Sequence, residues 1–170
     1  MTAIRPELRY MTVGDVDRVY EIETHAHSAP WSKLTFQREL IDGRHNTCMV
    51  AEIDERIVGF VCLYYVMDEG HVTNIAVDNF FQNHGIATFM MLAVIDVMIS
   101  KGVKRLTLEV RKTNEKAQRL YAKFGFKMKG LRKRYYTDNN EDAYIFWTDD
   151  ITGENYQSMV QGVREEFRKQ

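Results

Sequence analysis

The chain has 170 residues, which at roughly 150 residues per domain predicts one domain. Apolar residues make up 45% and charged residues 28%, and two Pro with ten Gly argue against a disordered or collagen-like chain. Lys plus Arg number 23 against 24 Asp plus Glu, so the net charge of −1 removes the basic excess expected of a duplex-nucleic-acid binder.

Taken in order, helix and strand signals alternate. Thr12 is placed to cap a helix from Val13 to Thr24, with Val16, Val19, Tyr20 and Glu23 spaced for one face. Ser32 caps a second helix, Lys33 to about Asp42, which Gly43 ends. TCMVAEI and RIVGFVCLYYVMDEG flank the polar pair Asp54-Glu55 and predict a hairpin. HVTNIAV, bounded by Gly70 and Asp78, reads as a third strand. From Ile86 to Ser100 the chain is apolar nearly all round, which predicts a buried helix closed by Gly102. LTLEV is the next strand, Glu115 to Lys123 a short helix stopping before Gly125, and two further strands fall around Phe126–Arg132 and Asp142–Trp147. In the tail, Tyr156, Met159, Val160, Val163 and Phe167 recur at helical spacing. The order predicts an α/β (α+β layered) domain with a mixed sheet over residues 1–153. An amphipathic helix over 154–170 then docks on that domain or on a partner.

Cys48 and Cys62 lack CxxC spacing and sit in apolar runs, so they are expected to be buried, reduced core residues suited to a reducing cytoplasm. No stretch reaches the ~18 consecutive apolar residues of a membrane span. The start, MTAIRPELRYMT, lacks the apolar centre of a signal peptide, and a cytoplasmic protein is expected. His25, His27, His45, His71 and His84 are too scattered for a metal site of recognisable spacing, and no metal is expected.

The informative stretch is NIAVDNFFQNHGIATFMMLAVID. A strand ends at Val77, a loop follows, and a buried helix opens just after QNHGIA, with Gly85 and Ala87 as small residues. The first N–H groups of such a helix and its positive dipole end favour a phosphate or pyrophosphate. The segment is neither GxGxxG nor a P-loop, so residue chemistry alone leaves a ligand-free strand-to-helix turn open.

QNHGIA resembles the Q/R-x-x-G-x-G/A signature of the GNAT superfamily of N-acetyltransferases, in which that loop holds the pyrophosphate of acetyl-CoA. Downstream, LTLEVRKTNEKAQRLYAKFGFKMKGLRKRYYTDNNEDAYIFW looks like the family's second half. Upstream, IETHAHSAPWSKLTF resembles the substrate-side segment of RimI-type enzymes, which acetylate the amino terminus of a small-subunit ribosomal protein. RKRYY and EDAY are elements shared with archaeal and eukaryotic amino-terminal acetyltransferases. The resemblance covers roughly residues 5 to 150 and implies a GNAT fold, a mostly antiparallel central sheet flanked by helices. It implies acetyl-CoA as co-substrate and a protein amino terminus, of a ribosomal protein or a broader range, as acceptor. Neither a membrane nor a sequence-specific nucleic acid partner is expected, and the chain is expected to be a monomer or a weak homodimer.

An amine attacking a thioester must lose a proton, and the leaving thiolate must gain one. Alternation in LTLEVRK puts Leu106, Leu108 and Val110 on one face and Thr107, Glu109 and Arg111 on the other, and a carboxylate in an apolar strand is expensive unless paired or used. The resemblance implies Glu109 as general base and Tyr121 as general acid. A salt bridge of Glu109 with Arg111 or a neighbouring strand, and a core role for Tyr121, are the structural alternatives. The resemblance further implies that the main chain of Ile75, Ala76 and Val77 pairs with pantetheine. It assigns Asn83, His84, Gly85, Ile86, Ala87 and Thr88 to the pyrophosphate, and Asn114, also a natural helix N-cap, to the cofactor arm. Asn83 and His84 stand where the family often carries Arg, which removes a fixed positive charge from the loop. Trp31, which reads equally as a core anchor, and Tyr135 and Tyr136 match the segments that face the substrate. Adjacent tyrosines on a regular strand point to opposite sides, so one of them is expected to meet the substrate. Lys127, Lys129, Arg132, Lys133 and Arg134 form either a solvated face or an attractor for the cofactor's 3′-phosphate, an acidic peptide or ribosomal RNA. An acceptor that is a small-molecule amine or an internal lysine, or a non-catalytic acetyl-CoA-binding or ribosome-associated module, are the competing readings. Retention of Glu109 with Tyr121 speaks against the last.

Overall fold

The computed structural model describes residues 5–170. The first four residues of the stretch read for a signal peptide lie outside the described residues. The chain forms β1 (Glu7–Tyr10), a 3-10 turn (Val13–Asp15), α1 (Val16–Ala26), α2 (Lys33–Ile41), β2 (Asn46–Ile53), β3 (Arg56–Val66) and β4 (Glu69–Val77). A 3-10 turn (Asn79–Phe81) leads to α3 (Ile86–Ser100), β5 (Arg105–Arg111), α4 (Glu115–Lys123), β6 (Lys127–Tyr136), β7 (Glu141–Trp147) and α5 (Glu154–Arg168). The strands make one seven-stranded sheet in the order β1-β2-β3-β4-β5-β7-β6. β1/β2, β2/β3, β5/β7 and β6/β7 pair antiparallel, and β4/β5 parallel.

The chain divides into two compact units, one holding Thr73–Met90 and the described residues up to Tyr64, the other Tyr65–Val72 with Met91–Gln170. In the first unit, Asp54 and Glu55 both take positive φ (50° and 62°), the conformation of a two-residue hairpin turn, and β2 and β3 pair on either side. Cys48 lies opposite Cys62; both are free and buried, and burial pushes the Cys62 thiol up. Val16, Val19, Ile22, Phe36, Val50 and Phe60 make the core. The Ser32 hydroxyl accepts from Thr35 N–H at 3.1 Å, so α2 starts where the sequence predicts it.

Three local expectations need correction. β1 was not anticipated; it is a four-residue strand held on β2 from Glu7↔Glu52 to Tyr10↔Met49. The first helix begins at Val16, three residues late, because Asp15 turns its carboxylate back to Thr12 N–H (2.7 Å) and Oγ1 (3.0 Å) and tightens the entry into a 3-10 turn. Its buried face carries Ile22, not Tyr20. Gly43 is not in a left-handed conformation, and α2 stops at Ile41 with Asp42 as its cap.

In the second unit, Gly102 (φ 81°) closes α3 with Gly102 N–H donating to Ile99 O and Val103 N–H to Met98 O, both at 3.0 Å, the paired bonds of a Schellman end. Leu106, Leu108 and Val110 are buried while Thr107, Glu109 and Arg111 alternate with them on a half-buried face. α5 buries Tyr156, Val160 and Val163, and the Tyr156 hydroxyl donates to Phe124 O at 2.7 Å.

Candidate active site

In the first unit, Val77 ends β4, and Asp78 accepts from Phe80 N–H at 2.9 Å to start the 3-10 turn. The Asp78 carboxylate is paired with Arg18 and lies 3.7 Å from Arg56. Burial works against its charge, but Phe80 N–H and the two guanidiniums hold its carboxyl below the usual range. Beyond the turn, Asn83 (φ 64°) and Gly85 (φ 77°) are both left-handed, the conformation that turns the chain sharply into α3. Phe89 N–H donates to Gly85 O at 2.9 Å, so Gly85 is the N-cap and the N–H groups of Ile86, Ala87 and Thr88 are the opening donors of the helix. His84 donates through Nδ1 to Gln82 O at 2.8 Å, which ties the loop to itself. Ile75, Ala76 and Val77 lie on β4 beyond its ladder with β5, which runs over three pairs from Glu69↔Arg105 to His71↔Thr107.

The same unit buries a carboxylate that the sequence pattern shows only as a helix-face position. Glu23, 1% exposed, accepts at Oε1 from Asn74 Nδ2 and Trp31 N–H, both at 3.0 Å, and at Oε2 from His27 Nδ1 at 2.8 Å. Burial raises its carboxyl, and His27, Trp31 N–H and Asn74 together outweigh it and hold it low. Trp31 packs on Phe36 at 5.3 Å between centroids, and Phe36 meets Phe60 edge-on at 5.4 Å, so Trp31 is anchored from both its backbone and its ring.

In the second unit, the half-buried face of β5 carries Glu109, which pairs not with Arg111 but with a residue of the neighbouring strand, the other structural alternative. Its Oε2 lies 2.6 Å from His71 Nε2 on β4, and its Oε1 lies 3.6 Å from Arg132 on β6. Burial pushes the carboxyl up, while His71 and Arg132 more than offset it and hold Glu109 below the ordinary range. Arg111 instead clamps the β6–β7 turn: its Nη2 donates to both Asp138 oxygens at 3.0 Å, and its guanidinium lies 3.9 Å from the Tyr136 ring centre. Asn114 caps α4 by accepting from Ala117 N–H at 3.1 Å, the role its place in the sequence suggested. Tyr121, on α4, is 6% exposed and packs on Phe126 at 5.7 Å. Burial, reinforced by Tyr136, raises its phenol well above the ordinary value. Tyr136, pushed up to about 12 mainly by burial, also feels Glu109, so Glu109, Tyr136 and Tyr121 lie within electrostatic reach of one another in turn. Tyr135 and Tyr136 do not face opposite ways. β6 slips register between Arg132 and Tyr136, and their rings meet at 5.1 Å. Of the basic cluster, Lys127 pairs with Asp149 at 2.8 Å, and Arg132 stands 5.5 Å from the Tyr135 ring centre. Among the described residues no group of three or more His, Cys, Asp or Glu side chains is placed to hold a metal ion.

Within the second unit, Glu109 is an ionised carboxylate able to accept a proton and Tyr121 a buried, protonated phenol able to donate one. Residues 16–126 match the acetyltransferase (GNAT) family. A Bacillus subtilis (strain 168) protein that carries, provisionally, the name ribosomal protein bS18-alanine N-acetyltransferase is 39% identical over 82% of this chain and 93% of its own length. The Salmonella typhimurium (strain LT2) protein of that name is 35% identical over 79% of this chain and 91% of its own. The crystal structure of the ribosomal-protein-S18-alanine N-acetyltransferase from Escherichia coli superposes with a TM-score of 0.79 at 32% identity, covering 89% of this chain and 98% of that one. The chain belongs to the GNAT acetyltransferase family. It is an acetyl-CoA-dependent N-acetyltransferase.

Proposed function

We propose that this enzyme acetylates the free α-amine of a protein amino terminus, as the names of its relatives say of a ribosomal protein. When bound, acetyl-CoA supplies the acetyl thioester; the rest is the work of the chain's own groups. The N–H groups opening α3 at Ile86, Ala87 and Thr88, reached over Asn83, His84 and Gly85, hold the pyrophosphate. The left-handed Gly85 supports this, since its missing side chain lets an anion approach the backbone. Ile75, Ala76 and Val77 offer strand main chain to pantetheine, and Asn114, the N-cap of α4, is the residue assigned to the cofactor arm. Glu109 serves as the base toward the amine, and Tyr121 protonates the leaving thiolate. Trp31, Tyr135 and Tyr136 hold the acceptor peptide.

The observation that carries the reading is the state of Glu109: half-buried, yet kept ionised by His71 and Arg132. A carboxylate held low is a weak base. An α-amine has a pKa of ~8 and a lysine amine ~10.4, so the α-amine is the acceptor such a base can serve at neutral pH. We place the enzyme in the cytoplasm, where the free Cys48 and Cys62 stay reduced. Acetylation of a peptide panel that varies the first two residues, read by mass spectrometry, tests the assignment. Preference for small first residues such as Ala or Ser supports it, and modification that ignores the first residue contradicts it.

A further inference from the structure

Glu109 is hydrogen-bonded to a histidine. His71 lies opposite Thr107 in the parallel β4/β5 ladder, so Glu109, two residues further along β5, falls on the same face within reach of the imidazole. The contact between His71 Nε2 and Glu109 Oε2 is 2.6 Å. An ionised carboxylate only accepts, so Nε2 carries the hydrogen and donates it, and in the neutral form of the ring Nδ1 is the atom able to take a proton. The His71 side chain is 30% exposed and that of Glu109 only 10%, so the imidazole is the wetter partner. From this geometry we infer that His71 and Glu109 take the proton of the attacking amine as a unit, with Glu109 fixing the ring and His71 Nδ1 ending with the proton.

The inference rests on the reading that Glu109 serves the amine. The amine's nitrogen lone pair forms the new C–N bond, an N–H bond breaks and leaves its electrons on that nitrogen, and the proton rests on Nδ1 before passing to water. The C–S bond breaks with its electron pair on sulfur, the thiolate takes the Tyr121 hydroxyl proton, and the Tyr121 phenolate regains a proton from water. Around the pair, Arg132 on β6 stands 3.6 Å from Glu109 Oε1, and Tyr135 and Tyr136 feel the Glu109 charge. Glu69 and Arg105, earlier on the same two strands, are bonded to each other at 3.4 Å. A lone carboxylate held low is a poor proton acceptor, and the imidazole bonded to it offers a second acceptor atom. The carboxylate then orients the ring and steadies the imidazolium, as in other acid–histidine pairs.

The test compares the pH dependence of kcat/KM for an Ala-initiated peptide in the wild type, His71→Gln, Glu109→Gln and the double variant, each with its Tm. His71→Gln is expected to lose about 10-fold or more near pH ~7, with a displaced acid limb and a loss that shrinks at alkaline pH as the amine deprotonates unaided. The double variant is expected to be no worse than the poorer single one, because the two act as one unit. A His71→Gln profile superimposable on the wild type, or losses that multiply in the double variant, overturns the proposal. Magnetic resonance titration of the wild-type imidazole needs no His71 substitution: a titration displaced by Glu109→Gln supports the pair, and one left in place overturns it. A wild type that leaves the peptide unmodified overturns the α-amine reading itself; a His71→Gln variant as active as a working wild type overturns only the pair.

Discussion

Tyr135 and Tyr136, neighbours in sequence, meet edge to face with ring centroids 5.1 Å apart and planes at 86°. β6 makes this possible by slipping its register against β7 between Arg132 and Tyr136, where Arg134 takes φ 50° and its N–H donates to Asp142 Oδ1 at 2.9 Å. Arg132 and Arg111 then stand over the two rings at 5.5 and 3.9 Å, so the tyrosine pair is held from both sides by guanidiniums.

Arg134 therefore has a backbone role that a β-branched residue cannot fill. Arg134→Val is expected to lose about 1–3 kcal/mol of stability through strain at a left-handed position, and to raise KM for the peptide but not for acetyl-CoA. Arg134→Gly is expected to keep the stability. Thermal unfolding with steady-state kinetics checks both, and equal Tm values for Val and Gly would show that the bulge is not what shapes the hairpin.

Gly85 is left-handed at the opening of α3. Gly85→Val is expected to weaken acetyl-CoA binding by roughly tenfold or more, because a branched side chain strains the turn and holds an anion off the backbone. Calorimetry on the folded variant decides, and unchanged affinity contradicts the pyrophosphate assignment.

Tyr121 keeps its proton at neutral pH because burial, and then Tyr136, raises its phenol. Tyr121→Phe is expected to lower kcat by roughly 10²-fold while KM for acetyl-CoA stays within about twofold, the signature of a group used only in the chemical step. A kcat like that of the wild type would make Tyr121 a packing residue.

Stability should carry the mark of Asp15, which Arg9 holds at 2.7 and 2.9 Å and whose carboxyl is lowered to about 2, chiefly by that guanidinium. A carboxyl lower in the folded chain than in the unfolded one, where it is ~3.9, stabilises above that value. That contribution is lost as pH falls through about 2. Asp15→Asn is expected to be less stable at neutral pH and to lose less over this acid window. Urea midpoints measured across it would contradict the account if both proteins gave the same slope.

Much of this was legible in the chain. Ile86–Ser100 and Glu115–Lys123 read off at their observed bounds because apolar content, Asn114 and the closing glycines all agree. Leu106 to Arg111 alternates as its pattern says. What escaped depends on contacts distant in sequence. His71 meets Glu109 across 38 residues and Asn74 meets Glu23 across 51, and neither spacing leaves a local trace. An acid on an otherwise apolar face is the available signal for both; at Glu109 it points to chemistry, and at Glu23 it shows only a helix-face position. The tyrosine pair escaped because a bulge breaks the alternation on which strand reading relies.

The central claim is transfer to an α-amine, and it is tested most directly by mass spectrometry on two peptides that share one lysine-containing sequence, one with a free and one with a blocked amino terminus. The account predicts one acetyl group on the free peptide, located at its amino terminus, and none on the blocked peptide. Comparable acetylation of the blocked peptide would contradict it and make lysine the acceptor.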